Sequence, residues 1–330
     1  MVFDNDQLRI GPTGVQKSLF KIKDLNGRIR NGKRREIPEY LTNKKLMAYE
    51  FPAGRLAKFS DTAENQLFRQ NTLKYNLSVS FHAPYYISLT SDDEAIYNKS
   101  IERLAHSFAW ATYLNAKRIV LHPGSYGKSR KKANMASLNK FMPNNSSKLD
   151  VVHRSKIDQI VEGIKAGMEQ ADKLYPELKS KFRQICLCPE TMGKFGQIGT
   201  LSEIIEICKT VGLNRTRPCV DFGHLYARNL GKIPNFKFYF DVFDVIESEL
   251  GSKVAQSLHI HYSIVEYGNK GEIKHHPNQI SSWGPKVDTL FQIIANRQYT
   301  PIIINESPLL DVDAEWLQKM WARKQKSLIP

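Results

Sequence analysis

The sequence predicts a single α/β domain, an eight-stranded (β/α)8 barrel, on three observations. Eight short apolar runs alternate with longer amphipathic stretches, the pattern of repeated βα units. The chain has 330 residues, 41% of them hydrophobic, which suffices for one large core and suits one such barrel. No Pro-, Gly- or Ser-rich linker and no change of composition divides it, so residues 1–330 read as one domain.

The first strand candidate is LRIGPTGV, from Leu8, and the second KLMAYEFPAG, from Lys45. Six more end in SVSFHAPY, RIVLHPGS, QICLCPET, PCVDFGHL, SLHIHYS and PIIINESP. Residues 61–77, 93–114, 153–174, 201–211, 241–250 and 286–296 read as helices. In the second of these Ile101, Leu104, Ala105 and Phe108 recur at three- and four-residue spacing, which lines one helical face. Each of the six later strands stops on a His, Asp or Glu: His82, His122, Glu190, Asp221 with His224, His259 with His261, and Glu306. Gly, Pro or Ser follows almost every one, marking where the chain leaves the strand. Strand-to-helix turns of such a barrel open at one rim, so these imidazoles and carboxylates are expected to gather there.

The formal net charge of +15 and a sequence pI near 9.5 favour a polyanionic partner, nucleic acid before an acidic membrane surface. The excess lies in segments that read as loops: residues 21–45, with Arg28, Arg30, Lys33, Arg34 and Arg35, and a long Asn- and Ser-rich stretch at about 126–148, with Lys128, Arg130, Lys131 and Lys132. No apolar run is long enough to span a bilayer and the N-terminus lacks an apolar signal segment. A soluble intracellular protein of the cytoplasm or nucleoid is expected, with no membrane and no obligate protein partner. The four cysteines, Cys186, Cys188, Cys208 and Cys219, form no C-x-x-C pair and read as small buried hydrophobes in a reducing compartment.

A lone histidine at the end of an apolar run, such as His82 or His122, is by itself most often a hydrogen-bonded core residue. Asp221-Phe-Gly-His224 can bring a carboxylate and an imidazole to one ion, or Asp221 can cap a helix. Glu190 and Glu306 follow runs that contain no Lys or Arg, yet a buried carboxylate needs a cation. His259 and His261, two apart on a strand, face one way. Together these residues are the ligand set for zinc, manganese or iron. Clustered cations suit phosphodiester hydrolysis, which agrees with a basic surface.

These motifs resemble the endonuclease IV family of apurinic/apyrimidinic endonucleases, within the xylose-isomerase-like TIM barrels, from about Leu8 to Pro308. SFHAPYY and LHPGS resemble the family's first two metal-histidine segments and imply His82 and His122 as ligands. PETMGKFGQIG implies Glu190, CVDFGH implies Asp221 and His224, and NESP implies Glu306. LHIHYS resembles the next segment best through His259, with His261 the other alignment. The resemblance implies one ion on His82, His122 and Glu190, a second on Glu190, Asp221, His259 and Glu306, and a third on His224 and His275. It makes Glu190 and Glu306 the catalytic carboxylates and sets Tyr85 against opened DNA. The implied activity is cleavage of DNA 5′ to an abasic site by metal-activated hydroxide, in base-excision repair, with two or three Zn2+ ions, or Mn2+ or iron.

The family's last motif, Asp-x-His, is broken here, because Ile273 precedes Lys274 and His275, and Glu272 lies one place early. Isoleucine cannot bind a metal, so either Glu272 or His276 helps, or the third ion is weak or absent, and two sites are expected to be firmer than the third. The loop at about 126–148 reads as an added grip on DNA through Lys128, Arg130, Lys131 and Lys132. The competing readings are a sugar isomerase or epimerase on the same barrel, for which +15 is superfluous, and a damaged-DNA binder that does not cut.

Overall fold

The computed structural model describes residues 6–23, 27–53, 60–127, 151–232, 235–280 and 282–327. Eight parallel strands form the barrel: β1 (Arg9–Pro12), β2 (Ala48–Pro52), β3 (Ser78–His82), β4 (Arg118–Leu121), β5 (Cys186–Pro189), β6 (Cys219–Asp221), β7 (His259–Tyr262) and β8 (Ile302–Asn305). A helix follows each: α1 (Ile37–Asn43), α2 (Ala63–Lys74), α3 (Glu94–Tyr113), α4 (Val151–Leu174), α5 (Leu201–Val211), α6 (Asn235–Leu250), α7 (Val287–Asn296) and α8 (Asp311–Lys326). Strands pair in the orders β1-β8-β7-β6 and β2-β3-β4-β5. Two bridges, Leu187 with Thr216 and Glu190 with Cys219, join β5 to β6. Met47 N donates to Ile10 O at 3.0 Å and joins β1 to β2. There the strands come so close that a Cβ on Gly11 would lie 1.7 Å from Ala48 O, which only glycine tolerates.

The strands are short and buried at nearly every position because both faces are covered, by the barrel interior and by the helices. Their near-continuous apolar runs follow from that. Three helix starts have a local cause. Thr62 and Asp93 accept hydrogen bonds from Asn65 N and Ile96 N, and Thr200 with Glu203 forms a capping box. α5 stops at Gly212, whose φ of 112° a side chain would strain.

Two helices, α1 and α8, were not expected from the sequence. α1 lies in the basic stretch 21–45, which reads as a loop but also holds a hairpin pairing Lys21–Lys23 with Ile29–Asn31. Much of that basic charge is engaged within the fold. Arg30 donates to Glu36, Arg35 pairs with Glu64 at 2.9 Å, and the Arg34 guanidinium stands 5.0 Å from the Phe51 ring centroid. The four cysteines are free and buried, as their apolar surroundings predict. Lys128, Arg130, Lys131 and Lys132 lie outside the described residues, as does nearly all of the loop at about 126–148. No helix among the described residues is long and apolar enough to cross a membrane.

Candidate metal centre

The polar residues at the strand ends converge on one rim, around Glu190. This carboxylate follows β5, is fully buried and faces four imidazoles. Its Oε2 lies 3.5 Å from His82 Nε2 and 3.1 Å from His122 Nε2. Its Oε1 lies 3.0 Å from His261 Nδ1 and 3.3 Å from His224 Nδ1.

Among the described residues donor atoms gather in five sets, three of them at the rim: His82 with His122 and Glu190; Glu190 with Asp221, His261 and Glu306; and His224 with Glu272 and His275. The other two, Cys219 with His259 and His261 and Glu50 with His82 and Glu306, reach into the barrel. A tetrahedral ion with bonds of about 2.0–2.1 Å needs donor–donor edges of about 3.3–3.4 Å. The imidazole–carboxylate edges, 3.0 to 3.8 Å, bracket that value, and all donor atoms of a set lie within 4.8 Å of one another. Glu190 Oε2 and Asp221 Oδ2 are buried and have no hydrogen-bond partner, although burying an anionic oxygen that way is costly. Both facts fit residues built to hold cations.

The imidazoles are oriented from behind. His82 Nδ1 lies 2.9 Å from Ala83 O and His224 Nδ1 2.9 Å from Thr191 O. His275 Nδ1 lies 2.8 Å from Ser263 Oγ. An Nδ1–H donated to these oxygens leaves each Nε2 as the free base that a metal requires. Asp221 caps a helix and keeps its second oxygen beside His224. Its Oδ1 accepts His224 N at 2.6 Å as the cap of a short helix, Phe222–Arg228, while Oδ2 stays 3.6 Å from His224 Nδ1.

The structure departs from one preferred assignment and bears on one point left open. His261, not His259, joins Glu190, Asp221 and Glu306. His259 sits one layer deeper, opposite Cys219, with Nε2 3.0 Å from Glu50 Oε2. Alternation along β7 points both rings into the barrel, but only residue 261 reaches the rim.

Glu272 completes the third set, with Oε2 3.3 Å from His224 Nε2 and Oε1 3.8 Å from His275 Nε2. The hairpin pairing Ile264–Gly268 with Gly271–His276 places Lys274 opposite Glu266 and Glu272 opposite Tyr267, so Ile273 is an extra, unpaired residue. A bulge of this kind shifts side-chain alternation by one position. Glu272 and His275 therefore share a face, as two residues of an Asp-x-His pair would, and Ile273 is left 55% exposed. His276 turns away to Glu266, 2.8 Å distant.

Sequence reasoning missed Glu50, fully buried inside the barrel on β2. A carboxylate set within the apolar run LMAYEF was the available signal. Glu50 accepts from Ser80 Oγ at 2.7 Å and lies 3.0 Å from His261 Nε2. Tyr85, by contrast, is 56% exposed just beyond β3.

The electrostatics follow from packing acids among imidazoles. Burial works against ionisation of Glu190, yet the His261 charge and the close approach of the His122, His224 and His261 imidazoles hold it well below the usual carboxylate range. Burial opposes protonation of His82 too, but Glu190, Glu50 and Glu306 outweigh it and raise His82 to about 9. Burial, with Glu306 and Glu190 adding to it, raises Asp221 to about 6 against the pull of His224. His259 falls to about 4, mainly through burial. Protons on imidazoles thus balance carboxylates where cations can replace them.

Comparison with known proteins places the chain. An uncharacterized protein of Methanocaldococcus jannaschii is 29% identical over 73% of this chain and 76% of its own length. A probable endonuclease 4 of Aster yellows witches'-broom phytoplasma is 25% identical, over 80% and 79% respectively. Endonuclease IV from Thermus thermophilus superposes with a TM-score of 0.60 at 18% identity, covering 90% of this chain and 96% of that one. Sugar epimerases are also among the proteins of similar fold. Residues 46–322 match the xylose isomerase-like TIM barrel family, and the chain belongs to it.

Proposed function

We propose that the protein is a metal-dependent DNA endonuclease of base-excision repair that hydrolyses the phosphodiester 5′ to an abasic site. The observation that carries this reading is the three donor sets on one rim, two of which share Glu190. Phosphodiester hydrolysis has use for several adjoining cations, and the net charge of +15 suits a polyanion. The relatives named endonuclease 4 support the same reading.

In this scheme His82, His122 and Glu190 hold one cation, Glu190, Asp221, His261 and Glu306 a second, and His224, Glu272 and His275 a third. Bound there, zinc, manganese or iron would supply Lewis acidity to phosphate oxygens and to water. Glu190, sealed from solvent, fixes the spacing of the first two sets. Glu306 retains 16% side-chain exposure, which leaves its carboxylate within reach of substrate, where it orients a water and holds its proton. Tyr85 offers an exposed ring for a base or sugar beside the lesion. Sugar epimerases on the same fold give a second reading.

A duplex oligonucleotide with one abasic site, incubated with and without chelator, tests the proposal. Chelator-sensitive nicking on the 5′ side is expected. Binding without nicking indicates a damage-recognition protein, and neither binding nor nicking returns the chain to sugar chemistry.

A further inference from the structure

Three rim histidines, His82, His224 and His275, present Nε2 to a donor set and rest Nδ1 against a backbone or hydroxyl oxygen, although His224 Nδ1 also lies 3.3 Å from Glu190 Oε1. His261 is reversed: Nδ1 faces Glu190 Oε1 at 3.0 Å and Glu306 Oε1 at 3.2 Å, so Nε2 points into the barrel. A neutral imidazole that offers Nδ1 to a cation must carry its proton on Nε2. Inside the barrel Glu50 Oε1 lies 3.0 Å from Nε2, with the Cys219 thiol also close by. Both Glu50 Oε1 and His261 Nε2 are buried without a hydrogen bond among the described residues, so the two are held as a charge pair.

We propose that Glu50 is a positioning residue of the metal centre, fixing the His261 ring so that Nδ1 is the metal-binding atom. Ala83 O and Thr191 O act on His82 and His224 through hydrogen bonds, whereas Glu50 acts on His261 through the pull of a full negative charge 3.0 Å from Nε2. Glu50 is itself anchored. Its Oε2 accepts from Ser80 Oγ at 2.7 Å, and His259 Nε2 lies 3.0 Å from the same oxygen. The pairing of β2 with β3 places Glu50 directly across from Ser80. This arrangement also assigns His259, which is displaced from the rim, to the support of Glu50. A buried carboxylate that orients and polarises a histidine ligand strengthens metal binding without touching the ion.

The inference rests on the reading that Glu190, Asp221, His261 and Glu306 hold a cation, and the test separates the two. Chelator-treated wild type and Glu50→Gln are titrated with Co2+, followed by visible ligand-field absorption and by the number of ions retained. Gln keeps the shape of the side chain but loses the charge. One ion should bind about 10–100-fold more weakly in the variant, with an altered spectrum. Ser80→Ala, which removes one of the two groups holding Glu50 Oε2, should shift affinity in the same direction by less, and it serves as the test if Glu50→Gln does not fold. Wild-type affinity and spectrum in Glu50→Gln, or in Ser80→Ala where that variant serves, would overturn the proposal. So would complete loss of one ion from Glu50→Gln, since Glu50 would then be a ligand. No Co2+ binding by the wild type would bring down the reading of the site and the role of Glu50 together.

Discussion

Replacing Glu272 by Gln tests whether a displaced carboxylate completes the third donor set. The change is nearly isosteric, so the bulge at Ile273 and the hydrogen bond from Glu272 N to Gly193 O at 3.2 Å should persist. What is lost is one negative charge 3.3 Å from His224 Nε2 and 3.8 Å from His275 Nε2. At an effective dielectric of about 20, two unit charges 4 Å apart attract by about 4 kcal/mol, and a dication doubles this to about 8. If desolvating the carboxylate returns about half, roughly 4 kcal/mol remains, or about a thousandfold in affinity. The assay is metal content after dialysis at fixed free Zn2+, with competition against a chromophoric chelator. Wild type should retain one more ion than Glu272→Gln, the other ions being unaffected. Equal stoichiometry and equal affinity would show that Glu272 is only a neighbour, and that His224 and His275 bind an ion unaided or not at all.

Three further outcomes are expected. In ion-free protein the raised His82 value, about 9 against 6.5 for the free side chain, contributes about 3 kcal/mol of stability below pH 6.5 that is lost as pH rises through 9. Thermal melts of chelator-treated protein should therefore fall by several degrees across that interval, and a flat or rising profile contradicts the balance of charge described above. Tyr85→Ala should weaken binding to abasic duplex by about 5- to 150-fold, the worth of one stacked aromatic, while leaving the melting temperature unchanged because the ring is exposed; fluorescence anisotropy decides it. Alanine at Lys128, Arg130, Lys131 and Lys132 should lower the slope of log affinity against log salt by about 0.9 for each phosphate contact removed, and an unchanged slope removes the loop from the DNA interface.

The barrel was legible because burial on both faces leaves a strong trace: a strand covered by helices outside and side chains inside must be apolar at nearly every position. The rim was legible for a related reason, since an apolar run that stops on an acid or an imidazole gives position as well as chemistry. What escaped depends on phase, which a run of letters carries poorly. His259 and His261 have the same parity, and depth along the barrel axis alone decides that 261 meets Glu190 while 259 meets Glu50. In Glu272-Ile273-Lys274-His275 the parity is wrong until one residue is looped out, and that bulge arises from pairing with residues 264–268, not from the tetrapeptide itself. Glu50 was hidden because β2 ends past its carboxylate, so the rule that found the other acids passed over it. These three residues adjoin one another or the same ligands: Glu50 lies behind His261, His261 faces Glu190, and Glu272 faces His224, which also touches Glu190. Long-range contacts among β2, β5, β7 and the Ile264–His276 hairpin thus determine which donors meet, and a local motif names only the residue types available to them.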